Sequence, residues 1–173
     1  MSRAKRFKRA YKPFWAFSSL KESFVRTLLE AWGFRVRPLG IGVESRREVK
    51  ETGSGPDFAV YLGDELLCFI EVTGPNWHYA PGQPVWVTYD KFRKLHAWHL
   101  KAPVIFVFLG FNDNRLVAAL YADYETLYPY AEDPRYIVKA APYGIEETYI
   151  QTPYTAWKPL RKLVRELLPL VRA

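Results

Sequence analysis

"GSGPDFAVYLGDELLCFIEVTG", residues 53–74, holds two apolar runs separated by Gly63 and Asp64. Gly-Asp between strand-like runs is the chemistry of a two-residue turn, so "DFAVYL" and "ELLCFIEV" are expected to pair as an antiparallel hairpin. In the second run Leu67, Phe69 and Glu71 share one face, and Cys68, Ile70 and Val72 the other. Both faces are apolar, which predicts a central strand. Glu71 then faces a heavy desolvation cost unless a cation or several donors compensate it. A bound metal is one compensation; a neighbouring arginine where the strand leaves the core is another.

Asp57 follows Pro56 and Gly55 and reads equally as an ordinary turn residue. Register separates the two readings. Residues opposite one another across an antiparallel pair share a face. With a plain two-residue turn at Gly63-Asp64, Asp57 opposes Ile70 and points away from Glu71. A three-residue connection, Gly63 to Glu65, or a bulge brings Asp57 opposite Glu71.

Outward from the hairpin, "SSLKESFVRTLLEAWGF" (18–34) sets Leu20, Phe24, Val25, Leu28 and Trp32 at helical spacing, with Gly33 where a C-cap glycine belongs. Glu22 lies at the margin of that stripe, beside Val25 and Leu29. Ser19-Leu20-Lys21-Glu22 also matches a capping box, so a cap and a site role both stand. Glu30 projects from the opposite face. "FRVRPL" reads as a short strand, the polar stretch 42–55 as a loop or bent hairpin, and "PNWHYAPGQP" as a loop. "TYDKFRKLHAWHL" (88–100) puts Phe92, Leu95 and His99 on one helical face, with Thr88 or Asp90 as caps. "PVIFVFLG" has the continuous apolar character of a strand covered on both sides. "RLVAALYADYETLY" suggests another strand, and 129–156, rich in Tyr and Pro, resists assignment. In "WKPLRKLVRELLPLVR", Trp157, Leu160, Val164, Leu167, Leu168 and Val171 share a helical face. Helix, strand, hairpin, helix, strand, strand, helix is the order of a mixed sheet covered by helices.

The 173 residues are about one domain, and 49% hydrophobic content suffices for a core. Lys and Arg outnumber Asp and Glu by 25 to 18, a net charge of +7 that favours a polyanionic partner. Much of the excess sits in residues 1–13, where Lys5, Arg6, Lys8 and Arg9 form a basic tail suited to a phosphate backbone or simply to solubility. One cysteine, Cys68, excludes an intrachain disulfide and suits a reducing, cytoplasmic setting, with the thiol as a small buried hydrophobe. No apolar stretch has membrane-spanning length. Few amides beside many Arg, Pro and aromatic residues suit a thermophilic source. His96 and His99 at i, i+3 have the spacing of zinc ligands but no partner motif, and read as partly buried helix residues. No Gly-rich phosphate loop or nucleophile elbow occurs.

Pro56-Asp57, then Glu71-Val72-Thr73 on the next strand, preceded by a helix bearing Glu22 and the "GFRV" strand entry and followed by "YDKFRKL", resemble the PD-(D/E)xK nuclease superfamily, which includes restriction endonucleases and archaeal Holliday-junction resolvases. The resemblance spans residues 19–110. It implies an α/β, restriction endonuclease-like mixed β-sheet core flanked by helices, here residues 14–173 as a single domain. It also implies a Mg²⁺ or Mn²⁺ site formed by Asp57 and Glu71, with Glu22 joining. Hard divalent cations take carboxylate oxygens and water, so the residue types are apt. The departure is Thr73, where the family pattern has a lysine. Threonine can orient a water but carries no positive charge. In some members the lysine comes from a neighbouring element, and Lys91, ahead of Lys94, is placed to do so; both also read as solvated helix residues. Trp77, His78 and Tyr79 lie just after Glu71, where aromatics stack on bases and an imidazole meets a phosphate, or where a loop simply packs.

The expectation is a metal-dependent endo- or exonuclease hydrolysing DNA. Asp57, Glu71 and Glu22 hold the cation, Lys91 supplies charge, Thr73 positions water, and Lys5, Arg6, Lys8, Arg9, Lys94, Trp77 and His78 contact nucleic acid. The rivals are a noncatalytic nucleic-acid-binding module of the same fold and an interaction protein with a basic surface. A homodimer is as compatible with the sequence as a monomer.

Overall fold

The computed structural model describes residues 15–39, 55–74, 78–142 and 144–172. The basic tail with Lys5, Arg6, Lys8 and Arg9, most of the polar stretch 42–55, and Trp77 lie outside these residues. Helix α1 (Trp15–Ala31) leads into β1 (Arg35–Pro38), and the hairpin β2 (Phe58–Leu62) and β3 (Glu65–Thr73) follows. Next come β4 (Val85–Thr88) and two short helices, α2 (Tyr89–Lys94) and α3 (His96–His99). A second hairpin, β5 (Val104–Asn112) and β6 (Arg115–Asp123), precedes α4 (Tyr124–Ala131), β7 (Ile137–Ala140), β8 (Glu147–Thr152), β9 (Lys158–Pro159) and α5 (Leu163–Leu167). Among the described residues six strands form a mixed sheet in the order β1-β2-β3-β5-β6-β9, in which only β3 and β5 pair in parallel. A second sheet has the order β4-β8-β7.

The hairpin keeps its two-residue turn, with Gly63 at φ +58. It reaches the other register through a bulge. Val60 pairs with Cys68 but Tyr61 pairs with Leu66, so Leu67 is the extra residue. Leu67 and Cys68, neighbours in sequence, both pack in one core layer, which unbroken alternation forbids. Beyond the bulge Phe58 pairs with Ile70, and the next step sets Asp57 against Glu71.

The main sheet is buried on both faces. One face packs under Val25 and Leu29 of α1 and Leu163 and Leu167 of α5; the other packs under Phe92, Leu95, Tyr124 and Leu127, together with Val85, Val87 and Ile150 of the small sheet. α1 ends in a Schellman cap: Phe34 N–H donates to Leu29 O and Gly33 N–H to Glu30 O, with Gly33 at φ +95. Thr152 locks the small sheet, its hydroxyl donating to Val85 O at 2.6 Å and accepting from Trp157 Nε1 at 2.8 Å.

Several expectations change. The buried stripe of α1 is Lys21, Val25 and Leu29, whereas Leu20 and Phe24 are 59% and 42% exposed. The helix starts at Trp15, so Ser19 lies inside it and the capping-box reading of Glu22 fails. The 88–100 helix breaks at Leu95 into α2 and α3, and Thr88 sits at its cap without a side-chain capping bond. Asp123 ends β6 and caps α4 by accepting from Thr126 N–H at 2.7 Å. The unassigned 129–156 region supplies β7 and β8. At the C-terminus Leu160, Leu163 and Leu167 are buried while Leu168 is exposed, and Pro169 falls in a 3₁₀ turn after α5. Among the described residues no helix is long and apolar enough to cross a membrane.

β3 ends against β5 with Thr73 beside Phe108. There Gly74 adopts φ +145, and a Cβ on it would stand 2.3 Å from the Leu109 carbonyl oxygen. Gly74→Ala is therefore expected to lower unfolding free energy by at least roughly 1–3 kcal/mol in urea denaturation; a midpoint equal to wild type would contradict this packing.

Candidate metal and catalytic site

Asp57 just ahead of β2, the end of β3 and the start of α2 converge on one cleft of about 840 Å³, which Lys21, Glu22, Asp57, Glu71, Thr73 and Lys91 line together. Asp57 precedes β2, and its Oδ2 accepts from Val72 N–H at 2.8 Å, which fixes the carboxylate at the strand pair. Glu71 is only 9% exposed. Its Oε1 lies 3.5 Å from Lys91 Nζ, while Oε2 is buried with no hydrogen-bond partner. Lys91 also donates to Gly55 O at 2.7 Å, so α2 clamps the chain just ahead of Asp57. Glu71 and Thr73, two apart on β3, both line the cleft.

α1 reaches the cleft from the opposite face of the sheet. Val25 and Leu29 anchor it beneath the strands, and one turn earlier Lys21 and Glu22 come round the strand ends. Glu22 is close enough to Asp57 for side-chain hydrogen bonding. Lys21 is 4% exposed, and its Nζ donates to Gly74 O at 2.8 Å, directly after Thr73. Sequence reasoning missed Lys21. Its signal was the i, i+4, i+8 spacing with Val25 and Leu29, hidden because a lysine leading an apolar stripe reads as surface.

Burial dominates the electrostatics. It raises the Glu71 carboxyl well above its usual range, with the Asp57 charge adding and Lys91 opposing. Burial also raises Asp57, against the pull of Lys91 and the Val72 amide. Glu22 is pushed up to about 8 by burial and then by the Asp57 charge. Lys21 is pushed down to about 8 by burial. Crowded carboxylates that resist ionising together are the arrangement a cation relieves. Among the described residues no three acidic, His or Cys side chains stand in a finished metal cage; instead the acids touch one another. The orphaned Glu71 Oε2 and the all-oxygen donor set nevertheless fit a hard divalent ion.

The remaining expected residues lie elsewhere. Lys94 is exposed and pairs with Asp90 at 2.8 Å, away from the cleft. His78 is exposed and bonds Asn112 Oδ1 through Nδ1 at 2.9 Å, whereas its neighbour Tyr79 lines the cleft. His99 accepts from Val104 N–H at 3.2 Å and stacks on Tyr124, a packing role. Cys68 is buried, its thiol pushed up to about 12 by burial.

No family model and no curated protein matches the sequence. Among solved structures, the Holliday junction resolvase Hjc of Archaeoglobus fulgidus, an archaeal hyperthermophile, is similar with a TM-score of 0.52 at 13% identity, over 84% of this chain and 98% of its own. A nuclease from a fusselovirus aligns with a TM-score of 0.49 at 17% identity, over 91% of each chain. The sheet order and the resolvase likeness together show that this chain shares the mixed α/β sheet fold of that resolvase.

Proposed function

We propose that the chain is a divalent-metal-dependent nuclease hydrolysing DNA phosphodiester bonds. The observation that carries this reading is the gathering of three carboxylates and two lysines in one cleft of a nuclease fold. Asp57, Glu71 and Glu22 would hold Mg²⁺ or Mn²⁺. Such an ion, when bound, polarises the scissile phosphate and lowers the pKa of a water. Lys91 orients Glu71 through their 3.5 Å contact and adds positive charge beside the phosphate. Lys21, bonded at Gly74, places a second ammonium at the strand end where Thr73 lacks one, so Thr73 need only position water. The basic tail, with Lys5, Arg6, Lys8 and Arg9, would run along the DNA backbone and give binding a steep salt dependence.

In a plasmid or branched-DNA cleavage assay with Mn²⁺, Asp57→Asn and Glu71→Gln should each lower activity by on the order of 10²–10⁴-fold while salt-sensitive DNA binding persists. Lys91→Met and Lys21→Met should act in the same direction but more weakly. Binding without cleavage by the wild type would favour the noncatalytic module.

Stability should report the carboxylate cluster independently of activity. Glu22 has an ordinary value of 4.5, raised to about 8 in the fold, so between these pH values the native state holds more protons than the unfolded chain. Stability contributed by this group is thus fully present below about pH 4.5 and is lost as pH rises through about 8. Without divalent cations, Tm should fall over that window, and Glu22→Gln should flatten the slope. Millimolar Mn²⁺ should raise Tm most at the alkaline end; a Tm that Mn²⁺ does not move at pH 8 would count against the site.

A further inference from the structure

Asp57, Glu71 and Glu22 occupy one side of the cleft. The opposite wall is one face of the small sheet. In the β4–β8 pair, Trp86 lies opposite Gln151 and Thr88 opposite Tyr149, and all four line the cleft with Glu147. The alternate residues Val85, Val87, Ile150 and Thr152 are fully buried on the other face. The half-buried Trp86 ring lies 5.2 Å from that of Tyr149, tilted by 40°. An aromatic pair flanked by an amide and a carboxylate is ill suited to phosphate, for Glu147 repels it. It suits a nucleobase: a ring for the base face, and donors and acceptors for the base edge. A cleft of about 840 Å³ falls in the ~300–1,000 Å³ range of ligand-sized sites, well beyond what a cation and one phosphate occupy.

We infer that the Trp86–Gln151 wall is a subsite for one unpaired nucleobase of the strand whose phosphate meets the carboxylates. This rests on the nuclease reading and narrows its substrate class. A paired base has both faces covered by stacked neighbours, so Trp86 can meet a base only where the DNA is single-stranded, frayed or branched. Base–aromatic stacking is sequence-tolerant, and Gln151 and Glu147 would favour bases with an exocyclic amine.

The test uses the full chain in EDTA, so that cleavage does not enter. Fluorescence anisotropy follows a DNA hairpin bearing a single-stranded overhang, which fixes the binding register, and a blunt hairpin as control. Trp86→Ala should weaken overhang binding roughly 5- to 150-fold and leave the blunt hairpin within about twofold, while Trp86→Phe keeps most of the affinity. In an abasic scan of the overhang, one position should cost the wild type a comparable factor and cost Trp86→Ala nothing. If Trp86→Ala fails to fold, the wild-type scan still decides. A flat scan, or equal losses on overhang and blunt hairpin, overturns the subsite. Wild-type protein that binds neither DNA overturns the nuclease reading along with it.

Discussion

One extra residue in β3 sets the geometry on which the site depends. Were Leu67 paired with Val60 instead of bulged out between the Tyr61–Leu66 and Val60–Cys68 pairs, Asp57 would face Ile70 and lie on the other side of the sheet from Glu71. With it, both acids fall on the face that α2 covers, within reach of Lys91. The bulge is held by burial, since Leu67 and Cys68 both enter the core between sheet and α1. The hydrophobic layer on one face therefore fixes the polar register on the other. The Val72 N–H bond to Asp57 closes the arrangement from the backbone side.

Given that register, the charges explain why each neighbour is where it is. Carboxylates this buried cost several kcal/mol each unless neutralised, by protons, by lysines or by a cation. Lys91 serves Glu71 from above the sheet, and Lys21 enters from below along a stripe anchored by Val25 and Leu29. Gly74 permits that second approach, its carbonyl receiving Lys21 while its bare Cα lies against Leu109. The threonine at residue 73 thus sits between two ammonium groups supplied by helices rather than by its own strand. Around them the small sheet turns its apolar face to the core and its aromatic, amide-bearing face to the cleft.

The hairpin, the central burial of β3 and β5, the C-cap at Gly33 and the oddity of Glu71 were legible in the sequence because each rests on local chemistry: a Gly-Asp turn, apolar runs of strand length, a glycine closing a helical stripe, an acid misplaced among apolar residues. The bulge was not legible. In an apolar run such as Leu66 to Ile70 no polar residue marks where alternation slips, so two registers fit the sequence equally and only the packing of Leu67 and Cys68 chooses. The stripe of α1 misled for the converse reason, since Leu20 and Phe24 look like core and Lys21 looks like surface, while the sheet edge rewards the opposite choice. The small sheet escaped notice because β4 is four residues long and its partners lie more than fifty residues on. Pairings of that separation leave no periodic trace within a short window.

If Asp57, Glu71 and Glu22, brought together by the bulge, form the proposed cation site, Mn²⁺ bound there will broaden nearby amide signals in the ¹H–¹⁵N spectrum of the labelled protein. At substoichiometric Mn²⁺ broadening should begin at the amides of residues 71–74, 57 and 22, and Glu71→Gln should remove it. Broadening confined to exposed acids such as Asp90 and Glu125, with Val72 and its neighbours untouched, would contradict it.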